Sequence, residues 1–164
     1  ELPRGESGEV ELGGFESNLY RYLDEKGEEH VHARNRLRTG DLGIMDEDGY
    51  IRITGRAKDL IIRGGVNISP AEVDNILLQM PELAEAATIG VLDPIYGEEV
   101  VCYVAPKEGQ STTPLAVLKH LQTRIPPFRM PKRIVVREHL PKTERGKMNR
   151  LLLLEEWKAE FGQA

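Results

Sequence analysis

Four stretches of this sequence carry residue types from which ligand chemistry is built, and each also has a plain structural reading. In Thr39-Gly40-Asp41-Leu42-Gly43 a carboxylate follows a glycine, which taken bare is a turn former. Gly55-Arg56-Ala57-Lys58-Asp59 packs opposite charges together, as a solvated linker does. Ile62-Arg63-Gly64-Gly65-Val66-Asn67 holds paired glycines, which let a backbone approach a ligand or simply turn a hairpin. The stretch 141–150 carries Lys142, Arg145, Lys147 and Arg150, with Gly146 directly before Lys147. Exposed lysines serve solubility, but a lysine on a flexible glycine loop also reaches a phosphate as a compact point charge.

The elements that must position these residues fall into two groups. Residues 8–14 alternate as a strand ending in glycine, and 19–23 with 29–33 read as short strands around a turn at 24–27. Residues 43–45 and 50–54 form a hairpin about Asp48-Gly49, which supplies the positive φ of a tight turn. From residue 60 the character changes. Short strands at 60–62 and 66–68 lead into a helix with Ser69 as N-cap, Pro70 at its first position and Glu72 three residues after the cap. Strands at 84–92 and 99–105 follow, then a helix capped by Thr113 with Pro114 behind it, a strand at 133–137 and a last helix over about 151–161. The expected class is α+β: a short all-β segment, 1–57, poor in core residues, and a small α/β domain, 58–164, with a central sheet flanked by helices.

Composition narrows the function. Hydrophobic residues make up 40% and charged residues 30% of 164, the range of a globular protein in water, and no apolar run is long enough to span a bilayer. Cys102 is the only cysteine, so neither an internal disulfide nor a thiolate metal cluster is expected, which fits a reducing cytoplasm. His30 and His32 share a strand face but have no third ligand nearby in sequence, so no metal site is expected. Residues 107–150 hold eleven Lys or Arg against three Glu, although the whole chain carries −5. Such a basic block is a solvated face or a surface that meets phosphates. With 5% aromatic residues and no recognised nucleic-acid motif, nucleic acid is not the expected partner. The chain lacks a starting Met, so a fragment is expected.

Taken in order, Thr-Gly-Asp-Leu-Gly, Asp-Gly-Tyr, Gly-Arg-x-Lys-Asp, Gly-Gly-x-Asn-Ile-x-Pro-x-Glu-Val-Asp and Pro-Lys-Thr-x-x-Gly-Lys resemble the adenylate-forming superfamily of acyl-CoA synthetases, peptide-synthetase adenylation domains and luciferases. The resemblance covers 8–160, is specific from 38 onward, and departs from the family pattern over 15–36. It implies an enzyme that makes acyl-AMP from a carboxylic acid and Mg-ATP, then passes the acyl group to a thiol, with a small C-terminal domain that rotates between the two steps. Asp41 would accept from the ribose hydroxyls and Arg56 would contact ribose or phosphate. Lys58 would lie at the hinge, Gly64 and Gly65 would line the pantetheine tunnel, and Lys147 would reach the acyl carboxylate and α-phosphate.

The resemblance implies ATP, Mg2+ and CoA as substrates or cofactors of the whole enzyme, none tightly held by this piece. Its partners would be the N-terminal domain of the same chain and a carboxylic acid. The family's phosphate-gripping loop, adenine motif and acyl pocket lie upstream, so this piece is expected to be inactive alone. The reading is an acyl-CoA synthetase. The alternatives are an enzyme loading a carrier protein, or a non-catalytic module that keeps the fold.

Overall fold

A computed structural model describes residues 2–13, 20–23, 29–32 and 36–162, with the backbone alone at 20–23, 29–32 and 36. The expected turn at 24–27 and most of the departing stretch 15–36 lie outside the described residues. The chain divides into two compact units, Glu1–Lys58 and Asp59–Ala164.

The first unit is all β. Strands β1 (Ser7–Gly13), β4 (Arg36–Met45) and β5 (Ile51–Arg56) form an antiparallel sheet in the order β1-β4-β5, and β2 (Tyr20–Leu23) pairs with β3 (Glu29–His32). The β4–β5 hairpin turns through Asp46 and Gly49 (φ 89°), where the Asp46 carboxylate accepts from the Tyr50 N–H at 2.8 Å. Among the described side chains of this unit only Gly43 and Thr54 are buried.

The second unit is built around one strand. In its sheet β9 (Gly97–Pro106) pairs antiparallel with β8 (Leu83–Asp93) along its whole length. The other edge of β9 takes β10 (Arg133–Val136) in parallel and, at Gly97, the end of β6 (Ile61–Arg63), which pairs in turn with β7 (Val66–Ile68). The run Val100 to Ala105 is buried on both faces, as an interior strand covered on two sides must be. Val100, Cys102 and Val104 meet Val73 and Leu77 of α1 (Pro70–Leu77), Val117 and Leu121 of α2 (Pro114–Gln122), and Ile134. Val101, Tyr103 and Ala105 meet Leu140 and Leu153, the latter from α3 (Arg150–Phe161). Two helices therefore cover one face and one helix the other, which is the α+β architecture read from the sequence.

Local signals placed the helices with one exception. The Thr113 hydroxyl accepts from the Ala116 N–H at 3.2 Å, and Asn149 caps α3 by accepting from the Leu152 N–H at 3.1 Å. Ser69 and Pro70 do start α1, but the expected capping box does not form. The Ser69 side chain makes no cap bond, and Glu72 reaches out to Arg129 at 3.1 Å instead.

A charge sits on the packing face of α1. Asp74 is buried beside Val73 and Leu77 and pairs with Arg150 at the start of α3. Burial drives its carboxyl up to about 6, against the pull of the Arg150 charge and a hydrogen bond from Thr88. Burial likewise pushes the Cys102 thiol up to about 12, with Thr88 Oγ1 3.4 Å from its sulfur, so this cysteine is inert packing.

Two consequences can be measured. Leu77→Ala should cost about 2–5 kcal/mol in denaturant unfolding, whereas Leu115→Ala, at an exposed position, should stay within about 0.5 kcal/mol of the parent. Because Asp74 holds its proton more tightly when folded, its contribution to stability is complete below about pH 4 and is lost as pH rises through 6. The Asp74→Asn variant has no such slope. In a urea series from pH 4 to 6.5, the difference in unfolding free energy should therefore move in the variant's favour by at most roughly 3 kcal/mol.

Candidate functional site

Strand β4 does not turn at Thr39-Gly40-Asp41; it bulges there. Glu9 of β1 stands opposite Leu42 and Glu11 opposite Arg38, so the three intervening residues of β4 lack a regular register. Gly40 takes φ 74°, open to glycine at no steric cost. The Thr39 hydroxyl donates to the Val10 carbonyl at 2.9 Å and accepts from the Asp41 N–H at 3.1 Å, and Gly40 N–H donates to Glu9 at 3.2 Å. The bulge re-aims Asp41, which faces Arg56 across the β4–β5 ladder, with Nε and Oδ1 2.9 Å apart. Fifteen residues apart in sequence, the two form one part-exposed ion pair whose remaining acceptor and donor positions are open to hydroxyls or phosphate oxygens.

Lys58 lies in a single 3-10 turn, Ala57–Asp59, exposed, at the join between the two units. A short segment of this kind is where a chain can absorb a large change of dihedral angle.

Gly64 and Gly65 make a two-residue turn between β6 and β7, with φ of 55° and 83°, the sign a tight hairpin demands at both central positions. Gly64 N–H donates to the Tyr96 carbonyl at 2.8 Å, and a Cβ on Gly65 would meet nothing within 4 Å. The turn is braced by Arg63. Its guanidinium lies 2.8 Å from Glu99, donates to the Phe128 carbonyl at 2.8 Å, and stacks 4.8 Å above the Tyr96 ring.

Lys147 stands on a separate small hairpin over 141–149. Lys142 and Met148 bridge, Asn149 N–H donates to the Pro141 carbonyl at 2.9 Å, and Thr143 N–H donates to the Lys147 carbonyl at 2.7 Å. Gly146 closes the tip at φ 75° with its N–H on the Thr143 carbonyl at 2.8 Å. The Lys147 backbone is thus ordered while its side chain is exposed and, among the described residues, makes no ion pair. A cation held in place without a partner is suited to stabilise negative charge on a ligand.

The basic block around it is only partly free. Arg129, Lys132, Arg137, Lys142 and Arg150 pair with Glu72, Asp93, Glu156, Glu85 and Asp74. Hydrogen bonds from Lys132 and from the Tyr96 and Ile95 N–H groups hold the Asp93 carboxyl down at about 2. Five of the eleven cations are therefore paired with carboxylates, and a surface that meets phosphates narrows to residues such as Lys147 and Arg145. Asp74, although the last residue of the Glu-Val-Asp motif, and Glu85 had no role assigned from sequence. The signal for Asp74 was its position between Val73 and Leu77 on a helix face, where a carboxylate needs a partner. Among the described residues no group of three His, Cys, Asp or Glu could hold a metal ion.

Comparison with known proteins agrees with this architecture. Residues 72–147 match the model of the AMP-binding enzyme C-terminal domain. Over 154 residues the chain is 42% identical to the sulfoacetate–CoA ligase of Cupriavidus necator, covering 93% of this chain and 30% of that enzyme. The crystal structure of ATP-bound MatB from Rhodopseudomonas palustris matches at a TM-score of 0.76 and 33% identity, over 98% of this chain and 32% of that one. The o-succinylbenzoate CoA synthetase MenE from Bacillus subtilis, in complex with the acyl-adenylate intermediate OSB-AMP, matches at 0.73 and 27%, over 93% and 31%. The chain thus spans about a third of the length of these relatives. It belongs to the adenylate-forming enzymes, and the unit built on β9 carries the match to the C-terminal domain of AMP-binding enzymes.

Proposed function

We propose that this chain is the C-terminal portion of an AMP-forming acyl-CoA synthetase. In the first step a carboxylate oxygen bonds to the α-phosphorus of Mg-ATP as pyrophosphate leaves. In the second, the CoA sulfur bonds to the acyl carbon, AMP departs and the thiol proton is released. The observation that carries the reading is Lys147, a free cation on an ordered hairpin. Bringing a carboxylate to a triphosphate concentrates negative charge, and a preorganised cation there offsets it in the transition state more than in the ground state.

The other residues take consistent parts. Asp41 accepts from the ribose hydroxyls and Arg56, released from or shared with it, contacts ribose or phosphate. Lys58 lies at the pivot between 1–57, the end of the large N-terminal domain, and 58–164, the mobile domain. The bare Gly64-Gly65 turn lets pantetheine pass. CoA is proposed as the thiol because the named relatives are CoA ligases. The chain alone is proposed to be inactive, since the acid pocket and most of the nucleotide site would belong to the N-terminal domain.

The enzyme with its N-terminal domain should release pyrophosphate with one class of acid and require CoA for sustained turnover. A panel of sulfoacetate, oxalate, indoleacetate and 2-methylpropanoate, the acids of its relatives, is the place to begin. Turnover indifferent to CoA but dependent on a carrier protein would favour carrier loading, and silence with every acid would favour a non-catalytic module. Lys147→Ala should slow acyl-AMP formation by about 10²–10³-fold and leave thioester formation from supplied acyl-AMP nearly intact; equal losses in both steps would contradict the role. At Gly65 the substitution must respect φ 83°. Gly65→Asn, which tolerates that conformation, should impair the thiol step and spare pyrophosphate release, and normal CoA turnover by this variant would remove the tunnel assignment.

A further inference from the structure

The hairpin that carries Lys147 is tied to the body of its unit at both feet, each time by a carboxylate from a different element. At the entry, Glu85 of β8 accepts from the Leu140 N–H at 2.8 Å and pairs with Lys142. At the exit, Asp74 of α1 pairs with Arg150, which also donates from Nε to the Thr88 carbonyl at 3.2 Å. Glu85 and Asp74 are both largely covered, with side chains 16% and 8% exposed. Burying a carboxylate is costly unless it is partnered, and apolar residues would have served packing alone at least as well. The two lysines therefore have different standing: Lys142 is spent on Glu85, and Lys147, five residues on, is left free at the ordered end.

We propose that Glu85 and Asp74 are positioning residues for adenylation, holding the two feet of the 141–149 hairpin so that the Lys147 ammonium reaches one place. This rests on the role proposed above for Lys147. Neither carboxylate touches the reacting atoms; each acts through Lys142 or Arg150 on the hairpin, and through it on Lys147. A misplacement of about 1 Å in a charge of this kind costs on the order of 10²-fold in rate, so loosening one foot should be felt in the first half-reaction alone.

A double-mutant cycle in the enzyme with its N-terminal domain tests this, using pyrophosphate release with Mg-ATP and the best acid of the panel. Glu85→Gln and Lys142→Met should each slow adenylation by about 10–100-fold while thioester formation from supplied acyl-AMP changes by less than about twofold. Repeated in the Lys147→Ala background, the same substitutions should cost less than about twofold, because residues acting as a unit are not additive. Asp74→Asn should behave alike, and if its burial prevents folding, the Glu85 and Lys142 cycles decide. The same factor in both backgrounds, equal loss in both half-reactions, or no loss at all would overturn the proposal. If Lys147→Ala itself leaves adenylation unchanged, the parent reading falls first, and that outcome is distinct from a failure of the feet.

Discussion

Strand β9 has no face to give to water. Val100 through Ala105 are enclosed on both sides, and a strand with that pattern is stable only with a layer packed on each face. The placement of the rest of the second unit follows. Helices α1 and α2 must cover the Val100, Cys102 and Val104 side, and α3 the Val101, Tyr103 and Ala105 side. The edges of β9 are closed by β8 on one side and by β10 and β6 on the other. The β6–β7 glycine turn and the 141–149 hairpin are connections on this core, and their positions are only as well defined as the strand they hang from.

Charge in the same unit is divided between holding and waiting. Asp93, Asp74 and Glu85 are consumed by Lys132, Arg150 and Lys142. Burial works against the Glu85 charge, yet hydrogen bonds from Lys142 and the Leu140 N–H outweigh it and keep the carboxyl below its usual range. Asp74, deeper, remains above its usual range despite Arg150. The difference follows from depth: desolvation grows with burial faster than one partner can offset it. Lys147 stands outside these satisfied pairs, as Arg145 does, but on an ordered hairpin whose feet the pairs hold.

Much of this was legible in the sequence, for identifiable reasons. Alternation, the Asp48-Gly49 turn and the paired glycines announced the hairpins, because each depends on neighbours within a few residues. Thr113-Pro114 announced α2 for the same reason. Ser69-Pro70 located the start of α1, but the cap chemistry was wrong, since Glu72 had a better partner in Arg129, distant in sequence. Thr39-Gly40-Asp41, which taken bare suggests only a turn, forms a bulge, and a bulge exists only against the strand beside it.

What the sequence by itself determined is the order of the elements, the apolar run that had to become the central strand, and the ordered motifs that mark the adenylate-forming enzymes. These are local or cumulative properties, written in residue type and spacing. Only the tertiary structure decided which charges meet. Asp41 with Arg56, Glu85 with Lys142 and Asp74 with Arg150 are separated by 15, 57 and 76 residues, and no periodicity links them. An ion pair depends on the distance between two side chains and on how much water lies around them; both are fixed only once β4 and β5 are in register for the first pair, and only once the sheet has closed around β9 for the other two.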